Sequence, residues 1–299
     1  MTLLTELARE ESVAQSRRAS FNYLGKLLRD KSGLIGFILV IIYTATAATV
    51  SISDIFRFTV TPYNPLQQNV GPPLAAPSLT HPFGTDMYGR DVFSRIIAAT
   101  PNELVVSVSV VVSALIIGTL LGSYSASAGG LIDEALMRIT DIFFAIPALV
   151  LAMAIGLVLG GGLINMMIAI IIIWWPPYAR LARGETFKVI HQNYIEAARI
   201  SGLGRAGIIF KHVIPNIAAT VLMYATLDMG TVILTYSGLS YLGLAVPPPY
   251  PDWGRMVSSY QDYLLEAPWL PVFPGVAIAL IVIGFSLLGD GIRNISERY

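Results

Sequence analysis

The chain has 299 residues, 55% of them hydrophobic and only 13% charged, with a formal net charge of zero. Soluble domains average about 25% charged, so with a mean hydropathy of +0.66 this is the composition of a membrane protein. The balanced charge offers no basic field for nucleic acid, and the lack of cysteine excludes disulfides, thiol catalysis and Cys-ligated metals.

A basic tail precedes the first apolar run. That run is about 20 residues long rather than the ~7–15 of a signal core, and no small-residue cleavage pattern closes it, so it reads as an uncleaved anchor. Six segments reach the roughly 20 apolar residues a spanning helix needs: 34–53, 102–127, 142–160, 163–179, 217–237 and 269–289. Residues 1–33 are expected to form a cytoplasmic tail and interfacial elbow, and 34–299 one transmembrane domain. Gly160, Gly161 and Gly162 mark a tight hairpin between the third and fourth spans. Pro147 and Pro176-Pro177 are expected to kink their helices. There is no soluble domain and no internal repeat.

Six crossings put both termini on one side. With the termini inside, only Arg57, Arg90, Arg95 and Arg255 of the 19 basic residues lie outside, and the other 15 lie inside. The positive-inside rule therefore makes both termini cytoplasmic. Two longer segments, 54–101 and 238–268, face outward. In the first, HPFGTDMYGRDVFSR carries Asp86–Arg90 and Asp91–Arg95 at i, i+4 spacing. Thr85 is expected to cap a solvated amphipathic helix that carries them into the second span, or else the segment forms an outer gate or a contact for an external protein. Trp253, Tyr260, Tyr263 and Trp269 read as interfacial anchors.

Between the fourth and fifth spans, on the cytoplasmic side, the chain reads NYIEAARISGLGRAGIIFKHVIPN. Asn193 and Glu196 have capping-box spacing, and Gly202 is a natural helix stop, so a helix of about eight residues is expected. Helices under about 12 residues are marginal alone, so this one must dock on something. Ala197 and Ala198 keep its surface low, and Glu196 and Arg199 have i, i+3 spacing for a pair. His212 reads as a loop-packing residue, and Pro215 closes the second apolar segment at the bilayer surface. In the fifth span Asp228 is costly, at about 2.5–3.5 kcal/mol on insertion scales. It is therefore either hydrogen-bonded to Thr226, Thr231 or a partner subunit, or exposed to a solute pathway.

Glu196-Ala197-Ala198, then Gly202, then Pro215, ahead of the penultimate span, resembles the EAA loop of permease subunits of ATP-binding-cassette importers. That loop docks in a groove on the ATPase subunit. The resemblance implies a coupling role for Tyr194, Glu196, Ala197, Ala198, Arg199, Gly202, His212, Pro215 and Asn216. His212 stands where the usual pattern has Ile, and His212-x-x-Pro215-Asn216 is similar to the dipeptide/oligopeptide/nickel branch. KLLRDKSGLIG from Lys26, Pro62-Tyr63-Asn64-Pro65, GTDMYGRD, WWPPYARLAR from Trp174, LSYLGLAVPPPYPDWGRM from Leu239 and LGDGIR from Leu288 resemble that branch in the same order. Together they point to the C-type member of its permease pair. The pattern departs at Ala99-Thr100-Pro101-Asn102, where a Gly-Ala-Arg element is common, and at Tyr236, near a position often held by a carboxylate.

The resemblance implies an all-α polytopic protein with the type I importer transmembrane fold and six helices. It would sit in a prokaryotic plasma (inner) membrane as half of a translocation path to which Asp228 and Tyr236 are candidate contributors. Its partners would be a second homologous permease subunit, two ATPase subunits and an extracytoplasmic solute-binding protein, for which Asp86, Arg90, Asp91 and Arg95 are candidate gate or contact residues. The solute would be a di- or oligopeptide, a nickel chelate or an oligosaccharide. No G-x-x-x-x-G-K-[ST] occurs, so ATP and Mg are expected on the partner ATPases and no cofactor on this chain. An ion-coupled secondary transporter is the alternative. It would favour inverted repeats and several midplane charges, whereas one acid stands out here. Intramembrane catalysis lacks any matching nucleophile or metal motif.

Overall fold

The computed structural model describes residues 25–56 and 58–297; of the tail and elbow expected over residues 1–33, residues 1–24 lie outside them. Among the described residues the only β pairing is one bridge, Thr85 to Asp91. In a bilayer a spanning segment must satisfy its own backbone groups, and the helix is the single-segment solution. Among the described residues these α-helices follow in order: α1 Lys31–Phe56, α2 Val92–Ala128, α3 Gly130–Ala145, α4 Ala148–Leu159, α5 Leu163–Ile190, α6 Asn193–Ile200, α7 Arg205–Ile208, α8 Ile214–Tyr241, α9 Trp253–Tyr260 and α10 Trp269–Glu297. A π-helical turn, Ile209–Val213, joins α7 to α8.

Among the described residues, five helices are long and apolar enough to cross a membrane unaided: α1, α2, α5, α8 with its α7 lead-in, and α10. The expected third span, 142–160, is not one helix. The chain is extended at Ile146, and α3 and α4 meet at 89°. Pro147 is the cause, because it lacks an N–H and drives the residue before it out of the helical region. At 12 residues, about 18 Å, α4 is too short to cross alone. Yet α2 and α5 run parallel, with Gly118 against Tyr178 and Ser123 against Thr186, so the α3–α4 pair must carry the chain back across. It forms a broken sixth span. Pro176-Pro177 leave α5 unbroken.

Backbone contact sets the tightest helix pair. A Cβ on Gly118 would lie 2.4 Å from Tyr178 Cβ, and one on Gly122 would lie 2.1 Å from the Ala179 carbonyl. This G-x-x-x-G row lets α2 and α5 touch where no larger residue fits. Around it sits one apolar core from α2, α4, α5 and α8; a second joins α1, α2, α8, α9 and α10. Ile35, Ile38, Ile42 and Ile52 of α1 are exposed, as a lipid-facing surface requires. Segments 58–91 and 242–268 fold over one end of the bundle. The α6 loop lies at the other end, with both ends of the described chain.

Candidate functional site

The α6 helix has eight residues, as the spacing predicts, but not by the expected capping box. Gln192 holds the N-cap position, no side chain caps the helix, and the Glu196 amide is taken by the Gln192 carbonyl at 3.4 Å. Starting one residue earlier puts Asn193 inside the first turn. Nor do Glu196 and Arg199 pair; both side chains point into solvent. The stop is as expected. Gly202 adopts φ +86°, and the Leu203 and Gly202 amides donate to the Ala198 and Arg199 carbonyls, each at 3.0 Å. This is a Schellman closure.

A single side chain, Ile195, buries α6 against the rest of the chain. Ala197 is exposed and Ala198 half-buried. Tyr194 is 45% exposed, Ile200 83% and Phe210 61%, so the loop presents apolar groups outward among Glu196, Arg199 and Lys211. His212 packs its ring 6.0 Å from that of Tyr194, and its carbonyl accepts from Asn216 Nδ2 at 2.5 Å. Pro215 sits in the first turn of α8, where its missing N–H costs nothing.

Helices α5 and α8 lead into and out of this loop, and Asp228 ties them together. Its Oδ2 accepts from Trp174 Nε1 at 2.7 Å and Tyr178 Oη at 2.9 Å, both on α5. Neither expected threonine is a partner: Thr226 bonds back to the Leu222 carbonyl, and the Thr231 carbonyl accepts from Thr235. The Thr226 contact stays within its own helix turn, whereas the indole and phenol reach across from a facing helix. Tyr236 is fully buried and donates to Asp252 Oδ2 at 2.8 Å. Asp252 also accepts from Ser240 and caps α9 through the Arg255 amide.

The structure adds a second acid within a span. Glu103 of α2 is buried, 3.5 Å from Ser237 Oγ. Sequence reading passes over it, because it stands at the edge of an apolar run where a solvated position is equally natural. Only packing against α8 and α9 shows it enclosed.

At the opposite end, GTDMYGRD is a tight loop rather than an amphipathic helix. The α2 helix begins at Val92 with Asp91 as its N-cap, which accepts from the Ser94 amide at 2.8 Å. Thr85 caps nothing; its hydroxyl joins the Pro72 carbonyl and the Ala75 amide. Far from solvated, Asp86 and Asp91 are fully buried, and Arg90 and Arg95 nearly so. Asp86 holds Arg90 Nε at 2.6 Å, accepts from Tyr260 Oη at 3.3 Å and lies 4.0 Å from Arg95 Nε. Asp91 pairs not with Arg95 but with His81, at 2.9 Å, while Arg95 reaches the Pro65 and Pro249 carbonyls at 2.8 and 3.3 Å. Local spacing matched the first pair. The second is lost because Asp91 is taken by the helix start. Trp253 and Tyr260 are buried in the core, the indole donating to the Ile96 carbonyl at 2.9 Å, so they are not the interfacial anchors expected; Tyr263 and Trp269 are half-buried.

Residues 118–298 match the family model described as binding-protein-dependent transport system inner membrane component. The chain is 38% identical over 269 residues to the dipeptide transport system permease protein DppC of Alkalihalophilus pseudofirmus, covering 90% of this chain and 86% of that one. It is 38% identical over 264 residues to the di/tripeptide transport system permease protein DppC of Pseudomonas aeruginosa, covering 86% and 84%. It is 41% identical over 218 residues to the glutathione transport system permease protein GsiD of Escherichia coli, covering 73% and 72%. With its helical bundle, broken third span and exposed loop helix, this multi-pass membrane protein belongs to the family of inner-membrane components of binding-protein-dependent transport systems.

Proposed function

We propose that this chain is the permease subunit of an ATP-driven importer for a peptide-like solute, forming half of the path beside a second, homologous permease. Two ATPase subunits work from the cytoplasm, where both termini lie, and an extracytoplasmic binding protein delivers the solute. The observation that carries this reading is α6, an eight-residue helix fastened by one buried side chain while Tyr194 and Ile200 face outward. Such a helix gains its missing contacts from a partner. ATP-driven closure of the ATPase pair would move α6, and with it α5 and α8, as a population shift between inward- and outward-facing states.

In this scheme the Asp228 bonds to Trp174 and Tyr178 make α5 and α8 respond as one wall of the path, and Tyr236 links that wall to Asp252 in the outer cap. Asp86 and Asp91 shape the outer gate from within, while Arg90 and Arg95 face its cleft. The peptide class is supported by relatives named as dipeptide, di/tripeptide and glutathione permeases. The test is co-expression with the ATPases and the second permease. Ile200→Asp is expected to leave membrane insertion intact and to cut ATPase recovery at least tenfold. Full recovery of the ATPase with this variant would sink the docking role.

A further inference from the structure

We infer that the outer cap carries a carboxylate-binding cleft that receives the free C-terminal carboxylate of the peptide ahead of the path; this deepens the peptide-import reading above and rests on it. The cleft has a volume of about 500 Å³ and is lined by three guanidinium groups, of Arg90, Arg95 and Arg255, together with Tyr88, Tyr250 and Tyr260. None of its lining residues is acidic. Asp86, itself buried, serves two of the three: it bonds Arg90 Nε at 2.6 Å and stands 4.0 Å from Arg95 Nε. Arg95 Nε and Arg255 Nε are buried with no hydrogen-bond partner. Arg255 contributes its backbone amide to Asp252, leaving its guanidinium without any partner among the described residues.

Donors left unpaired in a buried place are costly, and a ligand that pairs them recovers that cost. A carboxylate does so well, since its two oxygens match the guanidinium fork. Tyrosine rings beside the arginines give an amphipathic wall for the side chain next to the terminus. The volume falls within the roughly 300–1,000 Å³ of small-molecule sites. A docked protein would instead spread over an interface of about 1,000 Å² or more, so the geometry favours the solute's own carboxylate over an acidic side chain of the binding protein.

The test uses the complete importer complex in nanodiscs without the binding protein, and titrates alanyl-phenylalanine and its C-terminal amide by calorimetry. The acid is expected to bind at least tenfold more tightly than the amide. Arg255→Met is expected to erase that difference by weakening the acid alone, and Arg255→Lys to restore part of it, with all subunits still co-eluting. Equal binding of acid and amide, or discrimination that survives Arg255→Met, would overturn the proposal. So would an Arg255→Met complex that holds the dipeptide normally but no longer captures the binding protein, since the cleft would then be a docking contact. Failure of the peptide reading is seen separately: no peptide uptake in proteoliposomes, with Arg255-dependent binding of acetate intact. That result upholds the carboxylate cleft and removes the peptide as its ligand.

Discussion

The two ends of this bundle use charge in opposite ways. In the outer cap Asp86, Arg90, Asp91 and Arg95 are buried; Arg95 reaches the distant Pro65 and Pro249 carbonyls and Asp86 accepts from Tyr260, while Arg90 pairs with Asp86 and Asp91 with His81. In the α6 loop Glu196, Arg199 and Lys211 are exposed, and only Ile195 is buried in the helix. The cap thus satisfies its buried acids from within the chain and leaves donors open on Arg95 and Arg255, whereas the loop turns apolar groups outward. Buried ion pairs resist the loss of one partner, because the other is left as an uncompensated charge; exposed charges lose little when changed. A segment held from within and one whose apolar groups face outward should therefore fail differently.

The largest expected effect lies in the cap. Asp86→Asn leaves Arg90 and Arg95 without their counter-charge and should cost about 3–5 kcal/mol. It would be seen as loss of monodisperse protein in fluorescence-detected size-exclusion chromatography. A variant with wild-type melting behaviour would show that the ionic cluster does not hold the cap. Next comes the one buried anchor of α6. Ile195→Ala removes a buried branched side chain, worth about 2–5 kcal/mol in a well-packed site. Here the damage should stay local: insertion persists while ATP-coupled uptake falls at least tenfold. Global unfolding would contradict the picture of a loosely fastened helix.

Asp228→Asn sharpens the comparison at the bundle's centre. It keeps the shape and weakens the two hydrogen bonds between α5 and α8 by about 1–3 kcal/mol. Uptake should drop while ATPase recovery remains normal; unchanged uptake at normal abundance would remove Asp228 from the transmission route. Gly202→Ala costs about 1 kcal/mol, because alanine resists φ +86°, although a Cβ there meets nothing within 4 Å. Transport should be reduced rather than abolished.

The smallest effect is a pH dependence in the cap. Burial raises the Asp252 carboxyl above its ordinary range, against opposing hydrogen bonds from Ser240, the Arg255 amide and Tyr236. The folded state then binds this proton more tightly than the unfolded chain. Its stabilising contribution is full below the ordinary carboxylate range and is lost as pH rises through the raised value. Asp252→Asn should flatten that decline in a melting-temperature series. An unchanged slope would show that Asp252 does not titrate in that window.

Much of this was legible along the chain. Apolar length marked the spans, Gly202 marked the end of α6, and the order of motifs pointed to the family. The errors share one cause. Local spacing predicts helix caps at Thr85 and Asn193 and an ion pair between Asp91 and Arg95, yet each of these residues is claimed by a competing contact or an earlier helix start. Thr85 bonds the Pro72 carbonyl, Asp91 takes His81 and the Ser94 amide, and Gln192 precedes Asn193 at the cap. Glu103 and Asp252 went unremarked because nothing local distinguishes a buried acid from a solvated one at the edge of a span.

The sequence by itself determined that the chain crosses a bilayer, that α6 stops at Gly202 and that α6 is too short to be stable alone, since hydropathy, glycine and helix length are local properties. The kink at Pro147 was expected from the sequence, though not its size of 89°. Only the tertiary structure decided that Asp228 is held by Trp174 and Tyr178, and that three arginines share one cleft. Those outcomes depend on which distant residues arrive beside one another. Desolvation and hydrogen-bond competition are settled only when they do.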